Sequence, residues 1–345
     1  MLSYSTAKTP VPKKKIYTTK KIVNPGIALD GKLTEPAWNE VPWEKGFIQR
    51  QPNPGEPASQ HTAFKIIYDE NDLYIGIKAF DDEPAKIVKR MSRRDGFEGD
   101  FVEVNIDSYY DKRTAFSFTA SVSGVKGDEA ITNDGDNWDQ SWDPIWYLGT
   151  SVTEDGWIAE MKIPFSQLRF NNKNEQIWGI QVTRRLFRKE ERSNWQYVPE
   201  DMPGWVHHFG ELHGIEGITP KTQKDIVPYF VAKTETYEQE EGNPFATGRD
   251  HGVDVGVDGK IGVTNDLTLD FTVNPDFGQV EADPSQVNLS AFETYFQEKR
   301  PFFIEGRNIT NFQVTPGNGG MSMDNLFYSR RIGRSPQYSP DTEHH

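Results

Sequence analysis

The strongest regularity in this 345-residue chain is an alternation of apolar and polar residues over short segments. In residues 102–107 (VEVNID) the apolar side chains hold the even positions and the polar ones the odd positions. Residues 116–122 and 180–183 repeat the pattern. Because successive side chains of a strand point to opposite faces, each segment buries one face and presents hydrogen-bonding groups on the other. Several such rows would form a polar sheet face, which suits an uncharged, ring-shaped ligand such as a sugar.

Turn signals extend this pattern to a β-rich domain. Residues 69–72 (DEND) separate two apolar segments and indicate a hairpin. Strands of this length and spacing are typical of an all-β fold, an antiparallel two-sheet β-sandwich of jelly-roll type. Trp38, Trp157 and Trp178 are predicted to lie in its core. The predicted strands are 64–68, 73–80, 101–107, 115–122, 157–163, 178–187 and one from residue 209, with a helical turn at 166–168.

Composition narrows the function classes. A net charge of -14 argues against nucleic acid, whose phosphates require a basic surface. The absence of Cys excludes disulfides, thiolate metal sites and cysteine nucleophiles. No apolar run approaches the roughly 18 residues of a membrane helix, and no apolar signal core follows Met1. Residues 1–20, with three consecutive lysines at 13–15, are predicted to be a flexible basic lead-in.

The residue pattern changes after Pro220. Apolar residues at 253, 255 and 257, and then at 267, 269, 271 and 273, alternate with Asp, Gly, Thr and Asn. This pattern fits a second, half-buried sheet. It fits equally the first amphipathic strands of an outer-membrane barrel, with a lipid face and a polar lumen. The residue pattern alone leaves both interpretations open.

Six segments in order resemble the family 9 carbohydrate-binding module. The resemblance implies a β-sandwich over residues 21–219 that binds an oligosaccharide or polysaccharide without catalysis. The segments are 29–38 (LDGKLTEPAW), 68–69 with 73–76 (YD, LYIG), 100–107 (DFVEVNID), 155–160 (DGWIAE), 178–182 (WGIQV) and 209–210 (FG).

Residues 220–345 are similar to an uncharacterised Gram-negative family that carries this module before a large outer-membrane β-barrel. The resemblance is carried by residues 273–284 (VNPDFGQVEADP) and 298–306 (EKRPFFIEG). It implies association with the outer membrane through this segment. It also implies a location in the cell envelope, within an outer-membrane protein that takes part in glycan utilisation. About 120 residues are too few for a closed barrel at roughly ten residues per strand plus turns. We therefore expect a fragment of a longer protein, or else a soluble appendage.

The resemblance also implies a sugar site. The family holds its sugar between two aromatic rings, and these positions correspond to Phe97 and Trp205. Its polar contacts map to Glu103 and Gln181, to which we add Asn105 on the same strand. An arginine of the family's site falls on Thr119, so that contact is missing here. Trp205, flanked by Pro-Gly and two His, is predicted to lie in an exposed loop.

Residues 133–139 (NDGDNWD) place oxygen ligands around a glycine. Asp134, Asp136 and Asp139 are the side chains that a hard cation such as Ca²⁺ would use. The segment lacks the twelve-residue EF-hand pattern, and a metal-free turn is the alternative. Because the related modules bind structural calcium, the resemblance keeps a calcium site in consideration. His207 and His208 would diverge on a strand and make a poor metal pair.

An enzyme is the main rival class. A glycoside hydrolase would need two carboxylates across a cleft, and no nucleophile-elbow, P-loop or zinc-protease motif is present. Two further rivals are a plug or partner-docking domain of an outer-membrane channel, and a haem-binding sandwich. Three arginines, Arg184, Arg185 and Arg188, either contact an acidic sugar or pair with Glu190 and Glu191. The carboxylates available for hydrolysis are Asp100, Glu103, Asp107 and Glu160.

Overall fold

A computed structural model describes residues 13–236, 248–263 and 267–274, and residue 303. The chain divides into two compact units, with the boundary between Thr222 and Gln223. The first unit thus ends three residues after residue 219, the domain limit predicted from the change in residue pattern. In the described residues, no helix has the length and apolar character needed to cross a membrane.

The first unit consists of strands and short 3₁₀ turns. The turns are Pro36–Glu40, Pro84–Lys86, Asn133–Gly135, Phe165–Gln167, Phe187–Lys189 and Val206–His208. The strands are β1 (Ile16–Thr18), β2 (Lys20–Lys21), β3 (Ile48–Gln51), β4 (Thr62–Tyr68), β5 (Asp72–Phe80), β6 (Phe101–Asp107), β7 (Ala115–Ser121), β8 (Lys126–Thr132), β9 (Asn137–Asp139), β10 (Tyr147–Thr153), β11 (Gly156–Pro164), β12 (Glu175–Leu186), β13 (Glu191–Asn194) and β14 (Gly210–Glu216). The predicted strands are therefore confirmed, several of them to within two residues.

These strands form two sheets. The large sheet has the order β1-β14-β12-β6-β7-β8-β9, and β13 extends it by pairing with both β12 and β3. The small sheet has the order β10-β11-β5-β4-β2. All pairings are antiparallel except two, β1 with β14 and β2 with β4, which are parallel. The predicted all-β sandwich is confirmed, with these parallel strands as a difference at the edges.

The alternation decides which side chains meet between the sheets. Val102, Val104 and Ile106 of β6 are fully buried in the main core, as are Ile180 and Val182 of the neighbouring β12. The core is completed by aromatic side chains, which include Trp157 and Trp178. Trp38 packs in a separate small cluster with Ile67 and Tyr74. All three tryptophans predicted to be core residues are buried.

The opposite, polar face of the large sheet differs from the open face that the pattern predicts. Asn105, Ser117 and Gln181 on this face have no solvent exposure. The segment that follows β13 covers part of it, since the Gln196 carbonyl accepts from Gln181 and the Trp205 indole donates to Asn105. Covering a polar face requires that its groups find partners within the protein. Only a part of the face is left open, and that part is the candidate site.

The start of the described chain belongs to the fold. Ile16–Thr18 pairs with β14, and Lys20–Lys21 pairs with β4. Tyr17 is buried, and its hydroxyl accepts the Ile66 backbone N–H at 3.0 Å. The prediction of a flexible lead-in over residues 1–20 is therefore wrong for residues 16–20. Residues 1–12 lie outside the described residues.

The second unit contains a three-stranded antiparallel sheet of β15 (Lys224–Thr236), β16 (Arg249–Gly262) and β17 (Thr268–Val273). The predicted alternation is confirmed as strands. Phe230 pairs with Val255, so both lie on one face, while Val227 pairs with Asp258 on the other. The motif at 298–306 lies outside the described residues except for Phe303, and the motif at 273–284 does so beyond Asn274.

A buried carboxylate lies in the small sheet. Glu160 on β11 has no exposure, and its Oε2 accepts the backbone N–H groups of Gly31 and Lys32 at 2.7 and 3.2 Å. Its Oε1 is buried without a hydrogen-bond partner. Burial raises the pKa of Glu160 to about 7, and the nearby carboxylates of Glu35 and Asp30 act in the same direction. The folded state therefore favours the protonated side chain.

This carboxylate makes stability depend on pH. The pKa of Glu160 is higher in the folded state than in the unfolded state. Its contribution to the free energy of unfolding is therefore fully present below the unfolded pKa and is lost as pH rises towards about 7. Glu160→Gln stays neutral and keeps an acceptor for Gly31, so it should remove this loss. We expect its free energy of unfolding, measured by urea denaturation, to gain on the parent by about 2–3 kcal/mol between about pH 4.5 and pH 7.5.

The matched control is Glu154→Gln, an exposed position at the turn before β11. It should leave the pH dependence of the parent unchanged. A difference between Glu160→Gln and the parent that stays constant over the same pH range would contradict the assignment.

Candidate functional site

A cavity of about 430 Å³ opens on the outer face of the large sheet. Its size is within the range of small-molecule sites. Its lining combines charged and polar side chains with two indole rings. The lining residues are Arg50, Glu103, Glu129, Asp134, Gly135, Asp136, Trp138, Thr183, Arg192, Met202, Gly204 and Trp205.

The floor of the cavity follows from strand register. Glu103 on β6 lies opposite Thr183 on β12 on one side and Thr119 on β7 on the other. Glu129 on β8 lies opposite Ser117 of β7, two residues from Thr119. Because strand side chains alternate, all of these point to the same face. The register therefore places two glutamates and a threonine hydroxyl together on this floor.

Asn105 connects the floor to the loop that covers it. Its Nδ2 donates to Ser117 Oγ at 3.0 Å and to Glu103 Oε1 at 3.2 Å. Its Oδ1 accepts the indole Nε1–H of Trp205 at 3.0 Å. The amide is completely buried and uses donors and acceptor within the protein. Asn105, predicted to bind sugar hydroxyls, instead orients two residues that line the cavity.

Trp205 lines the cavity but is not the exposed loop residue that its neighbours predict. Only 7% of its surface is exposed, and its ring meets Phe209 edge-on with centroids 5.8 Å apart. The Arg50 guanidinium lies 4.7 Å from the ring centre. Burial is explained by the Asn105 bond, which draws the indole onto the sheet. Contacts within the protein therefore occupy much of the ring surface.

Trp138 on β9 is the second indole of the cavity. It is half-buried, and its Nε1–H donates to the Gly135 carbonyl at 2.8 Å, which fixes the ring beside the turn that precedes β9. With its polar edge satisfied, the remaining surface is apolar. An aromatic surface of this kind can pack against the C–H face of a sugar ring.

Asp134 ties the two loops at the rim together. Its carboxylate accepts the Trp205 and His207 backbone N–H groups and lies 2.5 Å from His207 Nδ1. Burial acts to raise its pKa, but these bonds from His207 and Trp205 outweigh burial and lower it. Gly204 has a φ of +81°, and a Cβ there would meet the Asp134 carboxylate. Only glycine allows the loops to approach so closely.

The cavity carboxylates differ in their tendency to ionise. Burial raises the pKa of Glu103, while the nearby Arg192 guanidinium and the Asn105 hydrogen bond oppose this. Burial and repulsion by Glu103 raise the pKa of Glu129 to about 7. Near neutral pH, Glu129 is therefore part protonated and can donate as well as accept a hydrogen bond.

Two predicted ligand residues lie elsewhere. Phe97 does not line the cavity, because its ring packs against Phe101, with centroids 5.3 Å apart, and over Gly127. Gln181 is completely buried, and its amide donates to the Gln196 carbonyl at 2.7 Å and accepts the Gln196 N–H at 2.9 Å. It holds the segment after β13 on the sheet. Of the five predicted ligand residues, the structure brings Glu103 and Trp205 to the cavity.

The predicted calcium site is not formed in the described part of the chain, where no group of three or more His, Cys, Asp or Glu side chains is arranged to hold a metal ion. Asp134 is engaged by the His207 loop, and Asp139 accepts Ser141 N–H and Oγ–H at 3.0 and 2.6 Å. His207 and His208 lie in a 3₁₀ turn rather than a strand, and their rings are in contact at an interplanar angle of 42°, with centroids 3.6 Å apart.

Most other charged residues singled out in the sequence have structural partners. Arg188 makes two bonds with Asp81, at 2.5 and 2.7 Å, and Arg184 is buried 3.9 Å from the same carboxylate. The predicted pairing with Glu190 and Glu191 is therefore wrong for these two arginines. Asp100 accepts the Phe187 N–H, Asp107 accepts the Asp111 and Lys112 N–H groups, and Arg185 donates to the Glu190 carbonyl.

Sequence reasoning missed several cavity residues, namely Arg50, Glu129, Trp138, Thr183 and Arg192. A signal for Glu129 was present, since counting two hairpins from Glu103 places it on the same face. Thr183 could have been found as the position after Gln181 on the polar side of its segment. Arg50 and Arg192 depend on the pairing of β3 with β13, which no local pattern indicates.

Comparison with known proteins bears on both parts of the chain. Residues 29–194 match the model of the family described as "Carbohydrate family 9 binding domain-like". Residues 220–345 match that of a "Domain of unknown function (DUF5916)". A search of curated proteins finds no match.

Among solved structures, the chain is similar to a family 9 carbohydrate-binding module from Caldicellulosiruptor kristjanssonii. Its complex with glucose shows 18% identity and a TM-score of 0.44 over 60% of this chain and 97% of that one. Its complex with cellotriose shows 19% identity and a TM-score of 0.43 over 60% and 100%. A protein from Bacteroides uniformis shows 14% identity and a TM-score of 0.47 over 58% and 99%. The family model thus shows that residues 29–194 are similar to the family 9 carbohydrate-binding domains.

Proposed function

We propose that the first unit binds an oligosaccharide or polysaccharide in the cavity, without catalysis. The observation that carries this proposal is the composition of the cavity, where an indole face stands beside carboxylate, hydroxyl and guanidinium groups. Sugar recognition combines an aromatic surface for the C–H face of the ring with donors and acceptors for its hydroxyls. The match of residues 29–194 to a family of carbohydrate-binding domains supports the same conclusion.

In this arrangement Trp138 is the stacking surface and the floor supplies the hydrogen bonds. The Glu103 carboxylate can accept from hydroxyls, as can the Thr183 hydroxyl, which itself donates to Asn194 Oδ1 at 3.4 Å, and Glu129 can both donate and accept when protonated. Trp205 contributes an edge of the wall, since its ring already contacts Arg50 and its N–H is held by Asn105. Trp138 is thus the single residue that stacks against the sugar ring, and its removal should lower the affinity substantially.

Trp138→Ala should weaken saccharide binding about tenfold or more, because aromatic packing contributes about 0.5–1.5 kcal/mol beyond the apolar area it buries. The measurement is calorimetric titration of the full chain with xylo-, gluco- and manno-oligosaccharides. Trp43→Ala is the matched control, since Trp43 is a partly exposed tryptophan outside the cavity. Equal affinity in the parent and Trp138→Ala would contradict the platform, and no heat with any saccharide would contradict the function.

A glycoside hydrolase is the second candidate, and one observation favours it. Glu103 and Glu129 line the same cavity, and the pKa of about 7 for Glu129 is the value that a general acid needs. In a binding module the same pair would serve only as hydrogen-bonding groups. Turnover separates the two functions.

We expect the full chain to release no reducing ends from the oligosaccharides that it binds. The assay compares the parent with Glu103→Gln and Glu129→Gln over a long incubation. Reducing-end release that is present in the parent and lost in both variants would establish the hydrolase and overturn the noncatalytic proposal.

We further propose that the second unit associates with the outer membrane, which places the saccharide site in the cell envelope. The support is an apolar face on its sheet. Phe230, Val253 and Val255 lie on that face, and each is more than 60% exposed within the described residues. The other face carries acidic and basic side chains such as Asp254 and Lys260. One apolar and one polar face is the pattern of strands that contact lipid.

Replacing Phe230 and Val255 together by Asp should abolish flotation of the full chain with lipid vesicles, because charge on a lipid-facing strand is costly. Val227→Asp on the opposite face is the control and should float like the parent. A parent chain that stays at the bottom of the gradient would favour a partner-docking role for this face instead.

A further inference from the structure

Two arginines form one wall of the cavity. Arg192 lies on β13, and Arg50 lies on β3, the strand that pairs with it through Gln51. These two strands extend the large sheet beside β12, so the wall stands next to the floor that holds Glu103. Both side chains are half-buried. Two positive charges thus share one side of the cavity.

Neither guanidinium is used by the described part of the protein in an ion pair. Their contacts there are with aromatic rings, Arg50 with Trp205 at 4.7 Å and Arg192 with Phe101 at 5.9 Å. Arg192 Nε is buried and has no hydrogen-bond partner. Arg184 Nε and Nη2 are likewise buried without a hydrogen-bond partner, but Arg184 and Arg188 differ from the cavity arginines because both lie against the Asp81 carboxylate. The arginines that support the fold are therefore paired, while the two that line the cavity are not.

Two unpaired guanidinium groups in a half-buried wall carry an electrostatic cost. Burial lowers the pKa of Arg50 and repulsion by Arg192 lowers it further, while the Glu200 and Glu103 carboxylates act in the opposite direction without cancelling the decrease. The cavity carboxylates offset this only in part. Asp134 is held by His207, and burial with repulsion by Glu103 raises the pKa of Glu129 to about 7. A bound anion would remove this cost, and a planar guanidinium is well suited to a carboxylate or sulfate group.

We propose that the saccharide bound in this cavity is anionic, and that Arg50 and Arg192 hold its carboxylate or sulfate group while Trp138 contacts the ring. This proposal rests on the proposed carbohydrate function and narrows it to uronic acid-containing or sulfated glycans. Glu103 and Thr183 then remain for the hydroxyls. The arginine wall fixes the end of the sugar that carries the charge.

The test compares three matched ligands in calorimetric titrations of the full chain. They are a neutral gluco-disaccharide, its counterpart with a terminal uronic acid, and its 6-sulfated form. We expect one of the two anionic ligands to bind at least about tenfold more tightly than the neutral one, because charge-assisted hydrogen bonds are about twice as strong as neutral ones. Raising the NaCl concentration should reduce this preference, while neutral binding stays constant.

Substitutions of the two arginines then test whether they cause the preference for the anionic ligand. Arg192→Gln and Arg50→Gln, tested separately, should each reduce the affinity for the preferred anionic ligand about tenfold more than they reduce that for the neutral one. Arg90→Gln is the matched control, because Arg90 is exposed and outside the cavity. If one variant fails to fold by circular dichroism, the other variant and the salt series still decide.

The outcomes separate this inference from the function on which it rests. Equal affinity for neutral and anionic ligands overturns the inference and leaves carbohydrate binding intact. An anionic preference that persists in both arginine variants also overturns it. Binding of none of the three, nor of any neutral oligosaccharide in the wider panel, overturns both proposals.

Discussion

The buried amide of Asn105 is the interaction on which the candidate site depends. One side chain receives the Trp205 indole and donates to both Ser117 and Glu103. It lies in the middle of the large sheet, where no water competes for its bonds. An unmade bond at such a place would cost about 1–3 kcal/mol, so the three partners are held together as a set. The position of the Trp205 loop and the direction of the Glu103 carboxylate therefore depend on this one side chain.

A second tie acts at the rim. Asp134 accepts bonds from the loop of Trp205 and His207, and Gly204 allows the approach. The acidic turn that suggested a metal site is therefore a fastening between two loops. Both interpretations have the same physical basis, because a carboxylate in a tight turn needs either hydrogen-bond donors or a cation. Here backbone N–H groups and an imidazole supply them, and they also keep its pKa low.

The sequence predicts the sandwich well and the site poorly. The alternation in residues 102–107 and 180–183 defines β6 and β12 and the side that enters the core, because period-two patterning is a local property. The same alternation could not show that Gln181 is covered, since the covering segment comes from after β13. The prediction that Phe97 stacks against a sugar failed for a similar reason, because Phe97 lies near β6 in sequence but packs on Gly127 of β8. The arginine wall requires strands that are far apart in the chain, and only the tertiary structure brings them together.

The parallel pairing of β1 with β14 has a consequence for how the domain comes into being. Ile16 lies opposite Glu211, so the first strand of the described chain finds its neighbour only when nearly all of the domain has left the ribosome. Contacts between residues so distant along the chain are slow to form, because a large loop must close first. Trp205 and Arg192 also come from this last stretch. During synthesis the recognition surface is therefore completed late, together with closure of the sheet edge, and a nascent or truncated chain lacks it.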